Sequence, residues 1–329
     1  MQSSYSYCLG GKLMRNSFKM LILVALVAIF SCLYLFQGLN GNYDYILPRR
    51  VIKVIAMAIT GVSIAYSTVT FQTITHNRIL TPSIMGLDSL YLLLQTVIIF
   101  FLGSSHIAIM NAQVNFFISV IVMIGFALIL YQFLFRSGKR PIYFLLLVGI
   151  IVGTFLGSLT TFMQVLIDPN EFTRVQDKMF ASFNNVDGDL VWLALIVVVI
   201  VMAFGWRMVN ELDVLSLGRD NAINLGVPYD RVVKRMLIIS SVLISVSTAL
   251  VGPITFFGLI VANLSYQFFK TYKHSVLIVG ASLLSLVALF GGQWIVERVF
   301  TFSTTLSVII NFIGGIYFIY LLLRESRSA

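Results

Sequence analysis

A chain of 329 residues in which 59% are hydrophobic and only 11% charged is excluded from the ordinary soluble proteins, where charged residues make up about a quarter. The apolar residues fall in repeated runs of about twenty, the length a helix needs to cross a hydrocarbon core of about 30 Å at 1.5 Å per residue. A net charge of +9 implies no nucleic-acid partner here, because the basic residues sit between apolar runs, where they set topology against membrane lipid.

The composition specifies an all-α, polytopic membrane protein. From the N-terminus, a polar tail carrying Cys8 gives way to an apolar run from Phe18 to Phe36. That run is long for a signal peptide and reads as a retained helix. Cys8 and Cys32, one in the tail and one in the first span, make neither a disulfide framework nor a metal motif. Spans are predicted near 18–37, 51–73, 86–103, 114–135, 142–167, 190–208, 236–252, 254–269, 276–296 and 306–323. The two runs around Gly252 and Pro253 form either one kinked span or a tight hairpin, since both residues break a helix. The hairpin gives about ten spans and puts both termini on one side.

Lysine and arginine decide which side that is. Sixteen fall in segments on the terminal side, among them Arg78, Arg136, Lys139, Arg140, Arg219, Lys270 and Arg327; the six opposite are Arg49, Arg50, Lys53, Arg174, Lys178 and Arg298. The excess makes the terminal side cytoplasmic. The charge tally also favours the hairpin, because a single kinked span would leave Arg324 and Arg327 outside. Asp168, Glu171, Asp177, Asp187 and Asp189 share one predicted outside loop.

No G-x-x-x-x-G-K-[ST] phosphate loop is present, so any ATP energy must come from another subunit. The spans are nearly free of the acidic residues and histidines that ion-coupled carriers bury to bind ions or relay protons. Asp88 falls near the cytoplasmic end of the third span, His106 in an outside turn, and His76 and His274 in cytoplasmic loops; the three histidines read as solvated. No zinc or haem ligand set, Ser/His/Asp arrangement or carboxylate pair is visible, so the expectation is no catalytic residue, no metal and no cofactor.

Between the sixth and seventh spans, "LSLGRDNAINLGVPYDRVVKR" (Leu215–Arg235) interrupts the apolar pattern. Leu217 to Val227 spans about two helical turns, with Ala222 and Leu225 on one face and Ile223 and Val227 on the next, and Gly226 as a C-terminal stop. Pro228 then starts a new helix with Asp230 and Lys234 at i,i+4 spacing. Held between two spans on the cytoplasmic face, this unit is either a knob that a soluble partner pushes or an amphipathic loop lying on the headgroups.

"LSLGRDNAINLGV" resembles the cytoplasmic coupling segment, roughly L-G-x-x-x-A-x-x-L-G-V, of the permease subunits of ABC importers for iron–siderophore complexes and vitamin B12. Leu217, Gly218, Ala222, Leu225, Gly226 and Val227 match in order. The resemblance spans nearly the whole chain. Leu47, Pro48, Arg49, Gly61, Ala65, Ser67, Gln72, Asn77, Pro82 and Gly86 fit the family's L-P-R, G-x-x-x-A-x-S, Q-x-x-x-x-N and P-x-x-x-G signature. "VGPITFFGLIVANLSYQF" is similar to G-x-I-x-F-x-G-L-I-x-P-H, and "QWIVERVF" stands where members often have A-D-x-x-x-R, leaving Arg298 as the match. The departures are His76–Leu80 in place of R-N-P-L-A, Ala262-Asn263 in place of Pro-His, and Gln293-Trp294 in place of Ala-Asp. "NRILTPSIMG" looks more like the siderophore branch, catecholate included, than the B12 branch.

The resemblance implies one transmembrane permease domain over 1–329 with the type II ABC importer fold, and a cytoplasmic coupling segment at 209–233. It implies residence in the bacterial cytoplasmic membrane, a second permease subunit, same or homologous, two ATP-binding subunits, an extracytoplasmic substrate-binding protein and a ferric-siderophore cargo. Leu217, Gly218, Arg219, Asp220, Ala222, Leu225 and Gly226 are then the ATPase-coupling residues, with Leu217, Ala222 and Leu225 as the apolar face in the partner's groove. Arg49, Arg50 and Arg298 are the residues that dock the binding protein. The hydroxyl-rich run Gly153–Gln164 is a candidate lining of the path, although small residues also serve close helix packing. Vitamin B12, haem or another metal chelate stay open as cargo, and an ion-coupled carrier or a non-transporting scaffold as other classes of function.

Overall fold

In a bilayer every backbone amide and carbonyl must find its partner within the protein, and a helix achieves this inside one segment. The computed structural model describes residues 2–37, 43–103, 106, 111–135, 142–184, 186–301 and 304–326. Arg136, Lys139, Arg140 and Arg327, which enter the tally of basic residues, lie outside the described residues. In chain order the helices are α1 (Gln2–Phe36), α2 (Tyr43–Thr75), α3 (Leu87–Leu102), α4 (Ala112–Phe135), α5 (Ile142–Leu166), α6 (Pro169–Met179) and α7 (Gly188–Trp206). They continue with α8 (Val209–Leu215), α9 (Arg219–Asn224), α10 (Tyr229–Val251), α11 (Phe257–Phe269), α12 (His274–Arg298) and α13 (Leu306–Ser326), and a 3-10 turn (Pro82–Met85) precedes α3.

Ten of these helices fall where spans are predicted, so the all-α polytopic expectation holds. Among the described residues eight are long and apolar enough to cross a membrane, while α3 and α11 are shorter apolar helices. The sequence reading does not resolve α6 and α8. At α6, Asp168 accepts a hydrogen bond from the Asn170 amide at 2.9 Å, and Asp187 does the same for α7 through Asp189 and Leu190. Two of the acidic loop residues are therefore helix caps. Burial against the bundle pushes the Lys178 ammonium on α6 down from the usual lysine range, opposed by the Asp177 carboxylate beside it.

The core is built around α2, which is buried on nearly all sides from Ala56 to Thr75 and packs against α10 and α12. Its contact faces are rich in small and hydroxyl side chains, which let helix backbones approach closely and supply hydrogen bonds where lipid supplies none. Ser67 donates to the Ser240 carbonyl at 3.2 Å, and Tyr131 on α4 meets the Ser241 hydroxyl at 2.5 Å. The peripheral helices turn bulky apolar groups outward, such as Phe155 and Phe162 on α5 and Phe312 and Ile316 on α13.

The run through Gly252 and Pro253 is a reversal and not a kink. Val251 accepts from the Ser182 amide at 2.8 Å, at the end of the bundle that holds α6, whereas Phe268 on the returning α11 meets Lys19 near the start of the apolar run of α1. Glycine is required at the reversal, because a Cβ on Gly252 would lie 3.0 Å from the Ala181 Cα. A similar break precedes α3, where Gly86 follows the 3-10 turn and sits so close to α5 that a Cβ on Gly153 would come within 2.9 Å of its Cα.

The two breaks meet in the interior. Thr255 donates to the Asp88 carboxylate at 3.1 Å, and Asp88 is only 7% exposed. Asp88 thus lies inside the helix packing, in the first turn of a short helix where the N-terminal amides favour a negative charge. A correction concerns His274, which is 4% exposed and not a solvated loop residue; His76 and His106 are exposed as expected.

Candidate coupling site and outer rim

The interrupting segment folds as two short helices with different jobs. α8 is a foot. Val209, Leu212 and Leu215, three residues apart, share one face and are buried against α2 and α12. From the same helix the Asp213 carboxylate reaches His274 at the start of α12, accepting from its backbone amide at 2.7 Å and approaching its Nδ1 at 2.6 Å. The Ser216 hydroxyl closes the end of α8 by donating to the Asp213 carbonyl at 2.6 Å.

α9 is the knob. It starts after Gly218, whose φ of 99° and ψ of 161° belong to a region that side-chain-bearing residues avoid. It ends in a pair of bonds that define a glycine-terminated helix: the Gly226 amide donates to Ile223 at 2.9 Å and the Val227 amide to Ala222 at 3.0 Å. Gly226 has φ 84°, and a Cβ at either glycine would meet nothing within 4 Å, so both are required by backbone conformation and not by crowding.

The outward face of α9 differs from the predicted one. Ala222 is fully buried and turns toward the permease's own body, which corrects its assignment to the partner-facing surface. Leu217, Ile223 and Leu225 are the exposed apolar residues, at 56%, 49% and 63%. Arg219 and Asp220 are also exposed. Asp230 pairs with Arg219 at 3.6 Å and not with Lys234, and the Arg219 guanidinium stands 5.7 Å from the Tyr229 ring. The backbone geometry explains the change. The turn at Gly226 folds α9 back beside the start of α10, bringing Arg219 nearer to Asp230 than a residue one turn along α10.

At the other end of the bundle the three arginines separate. Arg50 donates from Nη1 to the carbonyls of Tyr34, Leu35 and Gln37 at 3.0, 3.0 and 2.9 Å, and Arg298 donates to the Gln37 carbonyl at 2.5 Å. Both therefore close the C-terminal end of α1, whose last carbonyls have no partner within the helix. Arg49 is exposed, its guanidinium 4.1 Å from the Tyr45 ring.

Glu297 organises what lies beneath. It accepts from Tyr34 at 2.7 Å and Gln293 at 3.1 Å, with the Lys53 ammonium at 3.8 Å. Gln293, one of the departures from the family pattern, also approaches Asn184 at 3.3 Å. Ile223, Asp213, His274 and Glu297 escape the sequence reading. Only Ile223 had a local signal, being apolar in a polar segment. The other three act through partners far away in the chain.

The departures at the terminal end are structural too. Asn263, which replaces the family histidine, donates to the Arg78 carbonyl at 2.8 Å, and Gln72 donates to the same carbonyl at 2.6 Å. Together they hold the loop between α2 and the 3-10 turn.

A profile of the FecCD transport family matches residues 18–324. The petrobactin import system permease protein YclO of Bacillus subtilis is 61% identical over 315 residues, covering 96% of this chain and 100% of the relative. Two permeases of the petrobactin import system of Bacillus anthracis match unequally. FatC is 39% identical, covering 87% of this chain and 81% of its own, and FatD is 26% identical, covering 93% and 89%. Among solved structures, a metal-chelate type ABC transporter in an inward-facing conformation superposes with a TM-score of 0.78 at 21% identity, covering 94% of this chain and 99% of that one.

Proposed function

The chain belongs to the FecCD transport family, and from that premise we propose that it is the permease subunit of an ABC importer that carries ferric petrobactin, a catecholate siderophore, across the bacterial cytoplasmic membrane. The observation that carries the cargo is the 61% identity to a petrobactin permease over that relative's full length. The permease is not itself an ATPase; the energy enters through the coupling segment.

The unequal matches to FatC and FatD favour a heterodimer, with this chain in the FatC-like place and a second, homologous permease beside it. The apolar outer faces of α5 and α13 are the surfaces offered to that partner and to lipid. On α5, Thr154, Ser158 and Thr161 lie on one exposed stripe and bond back to carbonyls of their own helix at 2.8 to 3.1 Å. Such self-satisfied hydroxyls suit a path that a large polar chelate passes without being held.

The positive-inside bias places both termini and the coupling segment in the cytoplasm, where two ATP-binding subunits grip Leu217, Ile223 and Leu225, with Arg219 and Asp220 at the rim. Gly218 and Gly226 set the angle of that grip, and buried Ala222 sets how closely α9 lies on its own permease. Outside, Arg49 meets an acidic residue of the binding protein, while Arg50 and Arg298 shape the surface by closing α1. ATP binding draws the two ATPases together and shifts the permease toward the conformation that fits the closed pair better, which is the differential affinity any such switch needs.

The test is uptake of radiolabelled ferric petrobactin in cells with this gene deleted, the partner permease and ATPase genes intact, and no second petrobactin import system present. Uptake lost on deletion and restored by the gene supports the proposal. Uptake unaffected by deletion, or driven by an ion gradient in vesicles without ATPase subunits, overturns it.

A further inference from the structure

Asp213, His274 and Thr73 form a continuous hydrogen-bonded chain across three elements. Asp213 belongs to α8, the foot that carries the coupling helix; His274 opens α12; Thr73 lies in the last turn of α2. The His274 Nε2 stands 2.8 Å from the Thr73 hydroxyl, and its Nδ1 stands 2.6 Å from Asp213. With the ring proton on the nitrogen that faces the carboxylate, Nε2 accepts from the Thr73 hydroxyl, which in the other tautomer donates instead to the Val69 carbonyl 2.9 Å away. The Asp213 oxygen also receives the His274 backbone amide, so it caps α12, a helix whose own N-cap residue, Lys273, supplies no side-chain bond.

We propose that Asp213, His274 and Thr73 are positioning residues that transmit the displacement of the coupling helix into α2 and α12, coupling ATP hydrolysis to transport. The inference rests on the function proposed above. Apolar contacts such as those of Val209, Leu212 and Leu215 resist separation but allow sliding, because they are not directional. A part-buried bond from a carboxylate to two donors of one residue has fixed direction and length, and it transmits both push and pull. The surroundings sharpen the point. A cavity of about 560 Å³ lies beside the chain, lined by Gln72, Thr73, His76, Ser216, Thr271 and His274 among others. His274 and Thr73 thus border open space on that flank. What α8 delivers is received by α2, the most buried helix among the candidate spans.

The experiment reconstitutes the complete importer in proteoliposomes and measures ATP hydrolysis and ferric petrobactin uptake in the same vesicles. D213A is expected to lower uptake per ATP roughly tenfold, within the range of couplings carried by defined contacts, while co-purification of the ATPase stays normal. D213N keeps an acceptor oxygen and should restore most of the ratio, whereas D213L, which fills the space without an acceptor, should not. The Thr73 side chain bonds to His274 and to its own helix, so T73V serves if D213A fails to assemble; a lowered ratio supports the proposal. An unchanged ratio in an assembled D213A or in T73V overturns it. If the wild type hydrolyses ATP but imports no petrobactin, the cargo is wrong and the linkage is read instead from stimulation of the ATPase by the unliganded binding protein. Stimulation kept in T73V then overturns the linkage, and stimulation lost supports it.

Discussion

Replacing Gly218 with alanine isolates the conformational demand of the coupling turn. The residue has φ 99° and ψ 161°, and an added Cβ would meet nothing within 4 Å. The cost is therefore backbone strain alone, about 1–3 kcal/mol for a side-chain-bearing residue in this region. The foot before it is fixed by Val209, Leu212 and Leu215, and α10 after it is fixed in the core, so the strain is relieved most easily by turning α9. Turning α9 redirects Leu217, Ile223 and Leu225, the surface proposed to meet the ATPase. At about 2 kcal/mol the native orientation loses about 30-fold in relative population, since each 1.36 kcal/mol is tenfold. The assay compares membrane insertion, ATPase co-purification and ferric petrobactin uptake for G218A and G226N. G218A should insert normally and lose most ATPase association and uptake. G226N should lose far less, because asparagine is the common alternative to glycine at the end of a helix. Equal uptake by G218A and the wild type, or equal damage from both variants, would refute the assignment of the turn.

The exposed face of α9 predicts that Leu225→Glu or Ile223→Asp abolishes ATPase binding in pull-down while leaving the permease folded, whereas Ala222→Leu, by overpacking a buried site, lowers thermal stability in detergent by about 1–3 kcal/mol. At the opposite end, Arg49→Glu should weaken binding-protein docking several-fold at low salt, and the difference should shrink as salt is raised. Arg50→Ala should act mainly on stability, by about 1.5–3 kcal/mol, since two α1 carbonyls and that of Gln37 just beyond lose one charged donor; a loss of docking with unchanged melting would contradict that role. Asp88→Leu strands the Thr255 hydroxyl in the interior and should lower the melting temperature, with Asp88→Asn closer to the wild type.

The span pattern was legible because a bilayer imposes one length and one composition on every crossing, and even the reversal at Gly252 could be posed as a choice that counting basic residues resolved. The insert at Leu215–Arg235 was legible as a separate unit for a different reason, as a polar, glycine-bracketed stretch that lipid would not tolerate. Which of its residues face outward was not legible. Two turns of helix give too little periodicity, and the buried side is set by the docking of α8 and by the bonds at Gly226. Arg50 and Arg298 looked alike to Arg49 as charges on the sparse side of the topology. Their difference depends on where the C-terminus of α1 arrives, and that is a tertiary fact. Asp213 and His274, 61 positions apart, carry no mutual signal in a single sequence.

The placement of α2 explains how sites at opposite ends of the molecule can influence each other. Arg50 and Lys53 lie at one end of this helix and Thr73 at the other. Twenty-three residues separate Arg50 from Thr73, about 35 Å of axis at 1.5 Å per residue. One unbroken helix thus joins the rim that offers Arg49 to the hydrogen-bonded chain behind the coupling helix. Along its length α2 packs on α10 and α12, and α10 in turn contacts the 3-10 turn and α3 beside the meeting of the two breaks at Asp88 and Thr255. A helix held at both ends by polar contacts transmits displacement better than loops do, and it does so in either direction. Because linkage is reciprocal, a binding protein that favours one position of α2 from outside must favour the same position for the ATPase inside. Stimulation of hydrolysis by loaded binding protein should therefore weaken when the contacts are removed at either end, with Lys53→Met acting from one side and Thr73→Val from the other. A Lys53→Met variant that binds its delivery partner normally and keeps full stimulation would show that the signal travels by another helix.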